Sequence, residues 1–583
     1  MHIKRSIDKA LSEGYGRQLL WLLLFALICV GLALVIALFV FNDGVLKWQD
    51  VVGLFLDPGV FGSFADKGHD FFRLVIALLS MFLFSALLVS VFTNVFYNIS
   101  KSVREGRRKY RLRNHVVILG SGHHLQELLR TLDCKKQDVV VMAGSRPNLK
   151  GDYIYYQGER DSLKDLMFAD AKKANTIYII GEDNEEAHDS RSLKSMEMLK
   201  ELSKDINHDI HCYITLEDMT SSEIFQYSRV KGEGHLLLVD CINDYEHLAE
   251  QLMVNTPFLP VIKQGEDKQS HIIILGTGPV AQALAYAAAH ISHYPNFTDK
   301  GIKTKITFIA GGMQKWMNKM ISARPVLFEM SKYVYVAADG KVRVHKAVSD
   351  YGDFLDVEWQ FVDADDSSEL ARQILRDEAT NPAVILTLCV CSMNDKRNIE
   401  SVLHLPEEVY GRAQTTTGAK NIAVYIKDSH EVVRFANLTG MFSDITVFGP
   451  NAGNYMKSLT ARSRYGKRVN YVYDQKYGNP PSPNMENAWY KCSESDKSSS
   501  IYCANAMFLR NLCFDMNGDR MPIYEAEHRR WVMSELIMGF KPGKNRDKEY
   551  FIHNDIIPFD ELPEKEKVKD QDIIDAMPDI IKE

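Results

Sequence analysis

The sequence predicts a multidomain membrane protein with two transmembrane helices and a re-entrant loop between them. Two α/β domains of parallel-sheet type follow, and then a small, mainly α-helical C-terminal domain. Three observations carry this. Residues 19–41 and 74–100 contain no charged side chain. A Gly-rich turn between an apolar strand and a helical pattern occurs twice. The strand pattern then stops after a Pro- and Ser-rich stretch. Lys+Arg 69 against Asp+Glu 76 gives a net charge of −7 over 583 residues, which does not suit a nucleic-acid-coating protein. Nine cysteines without a CxxC pair exclude a disulfide scaffold and a zinc ribbon. Cys389 and Cys391 sit at alternate positions of AVILTLCVC, the pattern of two core thiols on one strand face.

Residues 1–17 read as a cytoplasmic N-terminus and 18–41 as the first span. About 20 apolar residues cross a bilayer core, whereas a signal peptide has a shorter apolar region and a small-residue cleavage site. Residues 72–100 read as the second span. Lys4, Arg5, Lys9 and Arg17 precede the first run, and seven basic residues between Lys101 and Arg113 follow the second. The positive-inside rule therefore predicts a multi-pass cell-membrane protein with both termini cytoplasmic, and a basic linker at 101–113. In the intervening loop, 42–71, the semi-apolar stretch from Trp48 breaks at Asp57-Pro58-Gly59. A short helix ended by Pro-Gly suits a pore loop, with Trp48, Asp57, Pro58 and Gly59 as candidate pore residues; the alternative is an amphipathic helix at the interface. No TVGYG filter is present.

The first α/β domain spans 114–262. VVILGSGHHLQELLRTL (116–132) places Gly120 and Gly122 in a strand-to-helix turn, with Leu125 at the third glycine position. Further strands read DVVVMAG, DYIYYQG and NTIYIIGED. The second domain spans 263–478 and opens with IIILGTGPVA, bearing Gly276, Gly278 and Ala281; ITFIAGG, VEWQFVD, AVILTLCV, NIAVYI and ITVFG follow. Apolar strands alternating with helices predict parallel, Rossmann-like sheets. Glycines in such turns let a phosphate approach helix-start amides, so Gly120, Gly122, Gly276 and Gly278 are cofactor-binding candidates. The second strands end in Ala143-Gly144-Ser145-Arg146 and Ala310-Gly311-Gly312, with no ribose-binding acid. Arg146 is an alternative phosphate contact. NAD or another nucleotide fits such domains, and so does a purely structural role. No Walker lysine follows either turn.

Two spans, a Pro-Gly-broken loop, a basic linker and tandem Rossmann-type domains resemble ligand-gated channels with RCK (regulator of potassium conductance, TrkA-N-like) domains. WQDVVGLFLDPGVFGS resembles the pore of bacterial relatives of the Castor/Pollux channels. The resemblance implies a homotetramer that conducts inorganic cations through a lipid bilayer and is gated by a cytosolic ring.

GNPPSPN and CSESDKSSS mark residues 479–500 as a linker. The domain at 501–583 carries EAEHRRW, HNDIIPFDELP and a charged helix. These segments resemble the ryanodine-receptor repeat (RyR) domain, which implies either ligand sensing or an assembly role. The ligand-site candidates are Glu527, His528, Arg530, Trp531, Arg546, Lys548 and His553: guanidinium forks hold an anion and an indole stacks on a base. On the alternative reading Trp531 is core, His528 is a hydrogen-bonded structural histidine and the cations are solvated. No second ligand at helical spacing supports a metal at His528. No catalytic pair accompanies the glycine turns, so a non-enzyme is expected. The competing class is a membrane-anchored NAD(P)-binding regulator or oxidoreductase without a pore.

Overall fold

The computed structural model describes residues 15–41, 46–59, 61, 69–132, 134, 136–183, 185–206, 208–227, 237–254, 258–411, 418–428, 431–432, 440–442, 444–450, 455–516 and 518–582. The expected N-terminus before residue 15 and loop positions 42–45, 60 and 62–68 lie outside the described residues. The chain divides into two compact units, 1–110 with 155–157, and 111–154 with 158–583.

The first unit contains helices α1 (Tyr15–Phe39), α2 (Trp48–Leu56) and α3 (Asp70–Arg104). Its core is made by Ala33, Ala37, Val51, Leu54, Ile76 and Ala77. Helix α2 opens where the Asp50 carboxylate accepts from the Lys47 amide at 3.2 Å, and ends at Asp57, whose Oδ1 accepts from the Gly59 amide at 2.9 Å. Large apolar side chains such as Leu27, Phe39, Phe82 and Phe96 are exposed.

Among the described residues no helix is long and apolar enough to cross a membrane, and this overturns the two-span fold class expected from 18–41 and 72–100. Charged residues fall within the helices: α1 includes Arg17. Helix α3 carries Asp70, Arg73, Lys101 and Arg104 in its end turns. Arg73 is almost fully buried, 3.6 Å from Asp50 and 3.8 Å from Asp70.

Beyond residue 111 the chain forms two large, mainly parallel sheets. In the first, β1 (Val116–Gly120), β2 (Val139–Ala143), β3 (Ile154–Gln157), β4 (Thr176–Gly181), β5 (Ile210–Leu216) and β6 (Leu237–Asn243) run in the order β3-β2-β1-β4-β5-β6. The order reverses between β1 and β4, the switch point of a doubly wound sheet, beside which ligands bind. β1 and β2 are buried at every position because helices cover both faces. The helix after β6 is α4 (Asp244–Val254).

The second sheet holds β7 (Gln269–Leu275), β8 (Thr304–Ala310), β9 (Tyr333–Val336), β10 (Val342–His345), β11 (Val357–Asp363), β12 (Val384–Val390), β13 (Asn421–Tyr425) and β14 (Ile445–Phe448). Its order is β10-β9-β11-β8-β7-β12-β13-β14, parallel except for β10 against β9. Strands β5, β6, β9 and β10 were not among those read from the sequence. Cys389 and Cys391 are fully buried in one core cluster. The Ala-rich α5 (Pro279–Ile291) starts with proline after Gly278 and is buried nearly all round.

Burial of α5 follows from what packs on its outer face. The C-terminal helices are α6 (Tyr455–Tyr477), α7 (Met485–Lys491), α8 (Glu494–Cys513), α9 (Met521–Ile537) and α10 (Glu564–Asp575). Apolar residues of α5, α8 and α9 form one continuous core with those of the second sheet. His290 on α5 lies 3.0 Å from the Ser534 hydroxyl of α9 and stacks on Tyr502 of α8 at 3.9 Å. The stretch 479–500, expected as a linker, is instead mostly helical and docked. Trp489 is buried and donates to Asp240 at 3.0 Å, Tyr490 donates to the same carboxylate at 2.9 Å, and Lys497 donates to the Val239 carbonyl at 3.0 Å. Side-chain oxygens of Asn484 and Ser493 cap α7 and α8, so the polar residues that read as linker are helix starts.

Candidate functional site

A cavity of about 450 Å³ opens among α6, α7, α8, α9, α10 and the loop after α9. That is enough for a drug-sized ligand. All seven candidates of the C-terminal domain line it: Glu527, His528, Arg530 and Trp531 from α9, and Arg546, Lys548 and His553 from the loop. The α6 side chains Tyr473 and Tyr477, and Asp496 at the start of α8, also line it. Sequence reasoning did not find those three, because their distance along the chain gives no local signal.

The seven residues divide by environment. Glu527 and Arg530 are both buried, and Arg530 donates through Nε to both Glu527 carboxylate oxygens at 3.1 Å. Arg510 reaches the same carboxylate at 2.7 Å. Against the cost of burial, these guanidiniums hold Glu527 down at about 2. Arg530 is therefore committed to an internal ion pair, which corrects its reading as a solvated cation or an anion fork. Lys548 pairs with Asp496 at 2.7 Å. His528 has Nδ1 at 3.1 Å from Asp570 and Nε2 at 2.8 Å from the Ile557 carbonyl, so both ring nitrogens are held structurally.

Trp531, His553, Arg546 and Glu535 face the space. Trp531 is half-buried, stacked on His528 at 5.6 Å and edge-on to His553 at 4.7 Å. The His553 Nδ1 accepts from the Asp555 amide at 3.2 Å, which leaves its proton on Nε2. Burial and then the charges of Arg546, Lys548 and Lys569 push His553 down to about 3, so it is a neutral donor at physiological pH. Burial, reinforced by Asp496, raises Glu535 to about 7. Arg546 is exposed, with no carboxylate at ion-pair distance among the described residues. An aromatic plane, a neutral imidazole donor, a carboxyl that titrates near neutral pH and an exposed guanidinium thus border one space.

The Gly-rich turns are shaped by their own backbone. Gly120 has φ +111°, and a Cβ there would lie 2.0 Å from the Gly181 carbonyl of β4. Gly276 has φ +132°, with a Cβ position 2.5 Å from the Cys391 carbonyl. Close approach of the neighbouring strand thus demands glycine before any ligand does. The Gly122 amide donates to Gly181 at 2.9 Å, and Gly278 precedes α5. The cleft beside Gly120 is lined by Glu159 and Glu182, with Arg160 and Arg191 paired to Glu185. Arg146 is exposed and does not line that cleft. Beside Gly276 lie Asp365, Asp366 and Arg397, with Arg397 bonded to both aspartates at 3.1 and 3.2 Å. Acids therefore do occur beside these turns, but after β3, β4 and β11 rather than after the second strand of either domain. Of the pore candidates, Trp48 is exposed at the start of α2, while Asp57, Pro58 and Gly59 follow its end.

No known family model matches the chain, and no curated protein matches it. Among solved structures, the GsuK channel bound to ADP is similar at 13% identity over 76% of this chain and 96% of that one, with a TM-score of 0.37. GsuK bound to NAD is similar at 11% identity over 76% and 82%, with a TM-score of 0.39. The human SLO3 gating ring is similar at 10% identity over 59% and 81%, with a TM-score of 0.35. The doubly wound architecture itself rests on this chain's own strand order. The Castor/Pollux and ryanodine-repeat resemblances stay resemblances of sequence.

Proposed function

We propose that this chain is a non-catalytic, ligand-sensing regulatory protein whose sensor is the C-terminal cavity, and that its ligand is a base-bearing phosphate compound of nucleotide type. The carrying observation is the convergence of Trp531, His553, Glu535 and Arg546 on one 450 Å³ space. The indole offers a stacking face, the guanidinium an anion contact and the imidazole a donor to ring acceptors, while the carboxyl, titrating near 7, donates in its protonated form. Docking of the cavity-forming helices on the second sheet gives a route from the ligand to that α/β domain. A ligand that binds one arrangement of this joint ~100-fold better than another shifts it by about 2.7 kcal/mol. The eight free cysteines of this unit, all nine of the chain except Cys29, suit a reducing, cytosolic setting.

The test is calorimetric titration of the full chain with adenine and guanine nucleotides, in parallel with Arg546→Ala. A charge-assisted contact is worth about 1.5–3 kcal/mol, so the variant should bind ten- to a hundredfold more weakly. Undetectable binding of every nucleotide to the wild type, or equal affinity in Arg546→Ala, overturns the reading. The finer expectation, a cation-conducting homotetramer, rests on the sequence resemblance. Nucleotide-dependent ion flux is its readout, and binding without flux would leave a sensor that acts on a separate effector.

A further inference from the structure

We infer that the switch point of the first sheet holds a divalent transition-metal site of the zinc class, formed by His123, His124 and Asp244. The three residues come from far apart in the chain. His123 and His124 follow the Gly-rich turn after β1, and Asp244 opens α4 after β6. Their ligand atoms lie within 4.8 Å of one another. The His124 Nε2 is 2.9 Å from Asp244 Oδ2, and the His123 Nε2 is 3.8 Å from the same oxygen. Ligands bonded at about 2.0 Å in a tetrahedron are separated by about 3.3 Å, so these spacings close on a metal with small side-chain shifts.

A hydrogen-bonded His124–Asp244 pair explains two of the residues but not His123. Its ring is oriented from the other side: Nδ1 lies 2.8 Å from Asp183 Oδ1, and the same oxygen accepts from the His123 amide at 2.9 Å. With Nδ1 held by Asp183, the ring turns its Nε2 toward the Asp244 carboxylate, at a distance too long for a hydrogen bond. A metal ion placed between that nitrogen, the His124 ring and the shared carboxylate would close the gap. Asp183 then plays the outer carboxylate that fixes tautomer and ring angle in histidine–metal sites. His124 and Asp244 are buried and His123 is nearly so, so the ligands are held by packing. Lys427 is the nearby cation acting on His123 and Asp183, and with two aspartates the site keeps a negative charge. Two imidazoles and one carboxylate suit zinc and leave a position for water or a ligand.

The experiment uses the full chain, stripped with chelator and dialysed against zinc chloride, with bound metal measured by mass spectrometry and thermal stability recorded alongside. The wild type should hold one equivalent more than His123→Ala and should melt at higher temperature with zinc. Asp183→Asn, which touches no metal, should weaken zinc 10- to 100-fold. Cobalt should give tetrahedral visible bands in the wild type that His123→Ala lacks. Zinc held by other histidines cancels in the difference. Should His123→Ala fail to melt cooperatively, Asp183→Asn decides alone. Equal stoichiometry and affinity in wild type and variants, or no zinc bound by the wild type, overturns the site.

Discussion

Glu535 shows how burial changes what a single side chain does. Burial at the cavity wall, with the charge of Asp496 added, raises its carboxyl to about 7 from an ordinary 4.5. Between those values the folded chain keeps a proton that the unfolded chain has released, so stability falls as pH rises from about 4.5 to 7. Glu535→Gln removes that dependence. Chemical denaturation should find the variant equal to wild type below pH 4.5, and more stable above pH 7 by on the order of 3 kcal/mol. A parallel pH profile in both would show that the carboxyl is ionised and solvated. The seven ligand candidates were legible as residue types near a Pro-Gly bend. Which of them is available was not legible, because Arg530 and Arg546 differ only in neighbours brought by α8 and α9.

At the scale of elements, the joint between the second sheet and the C-terminal helices depends on a buried charge cluster. Asp356, just before β11, lies 2.9 Å from His293 and 3.1 Å from Arg529 of α9. Against burial, these partners hold it at about 2, below the ordinary 3.8. Its contribution is therefore present above about pH 4 and lost as pH falls through 2. Asp356→Asn leaves Arg529 buried with its Asp356 partner gone, and should cost about 3–5 kcal/mol at pH 7 by denaturant unfolding. A loss below 1 kcal/mol would mean that the helices are not held there. The alanine run of α5 carried a legible sign of this joint. A helix apolar on every face needs cover on both sides, and a sheet supplies only one.

For the whole molecule, the shared core changes what can be cut apart. A C-terminal domain on a flexible linker would fold alone, but here α8 and α9 share one continuous core with α5 and the second sheet. A 501–583 fragment would expose that face and lose its partners at Asp356 and His290. It should show no cooperative melt by circular dichroism, whereas 111–583 should melt cooperatively. Two-state melting of the short fragment would restore the separable domain.

The sequence by itself determined the two parallel-sheet domains, their glycine turns and the helical end of the chain. Those follow from local rules: apolar runs of strand length, positive-φ turns and helix caps are written in neighbouring residues. It also placed a short helix at Trp48–Leu56, while the membrane-spanning class inferred from uncharged runs did not survive the structure. Only the tertiary structure decided that 479–500 is docked, that Glu527 cancels Arg530, and that His123, His124 and Asp244 meet. Each of these depends on residues tens to hundreds of positions apart, or on burial, and neither spacing nor composition encodes which distant surface a side chain will meet.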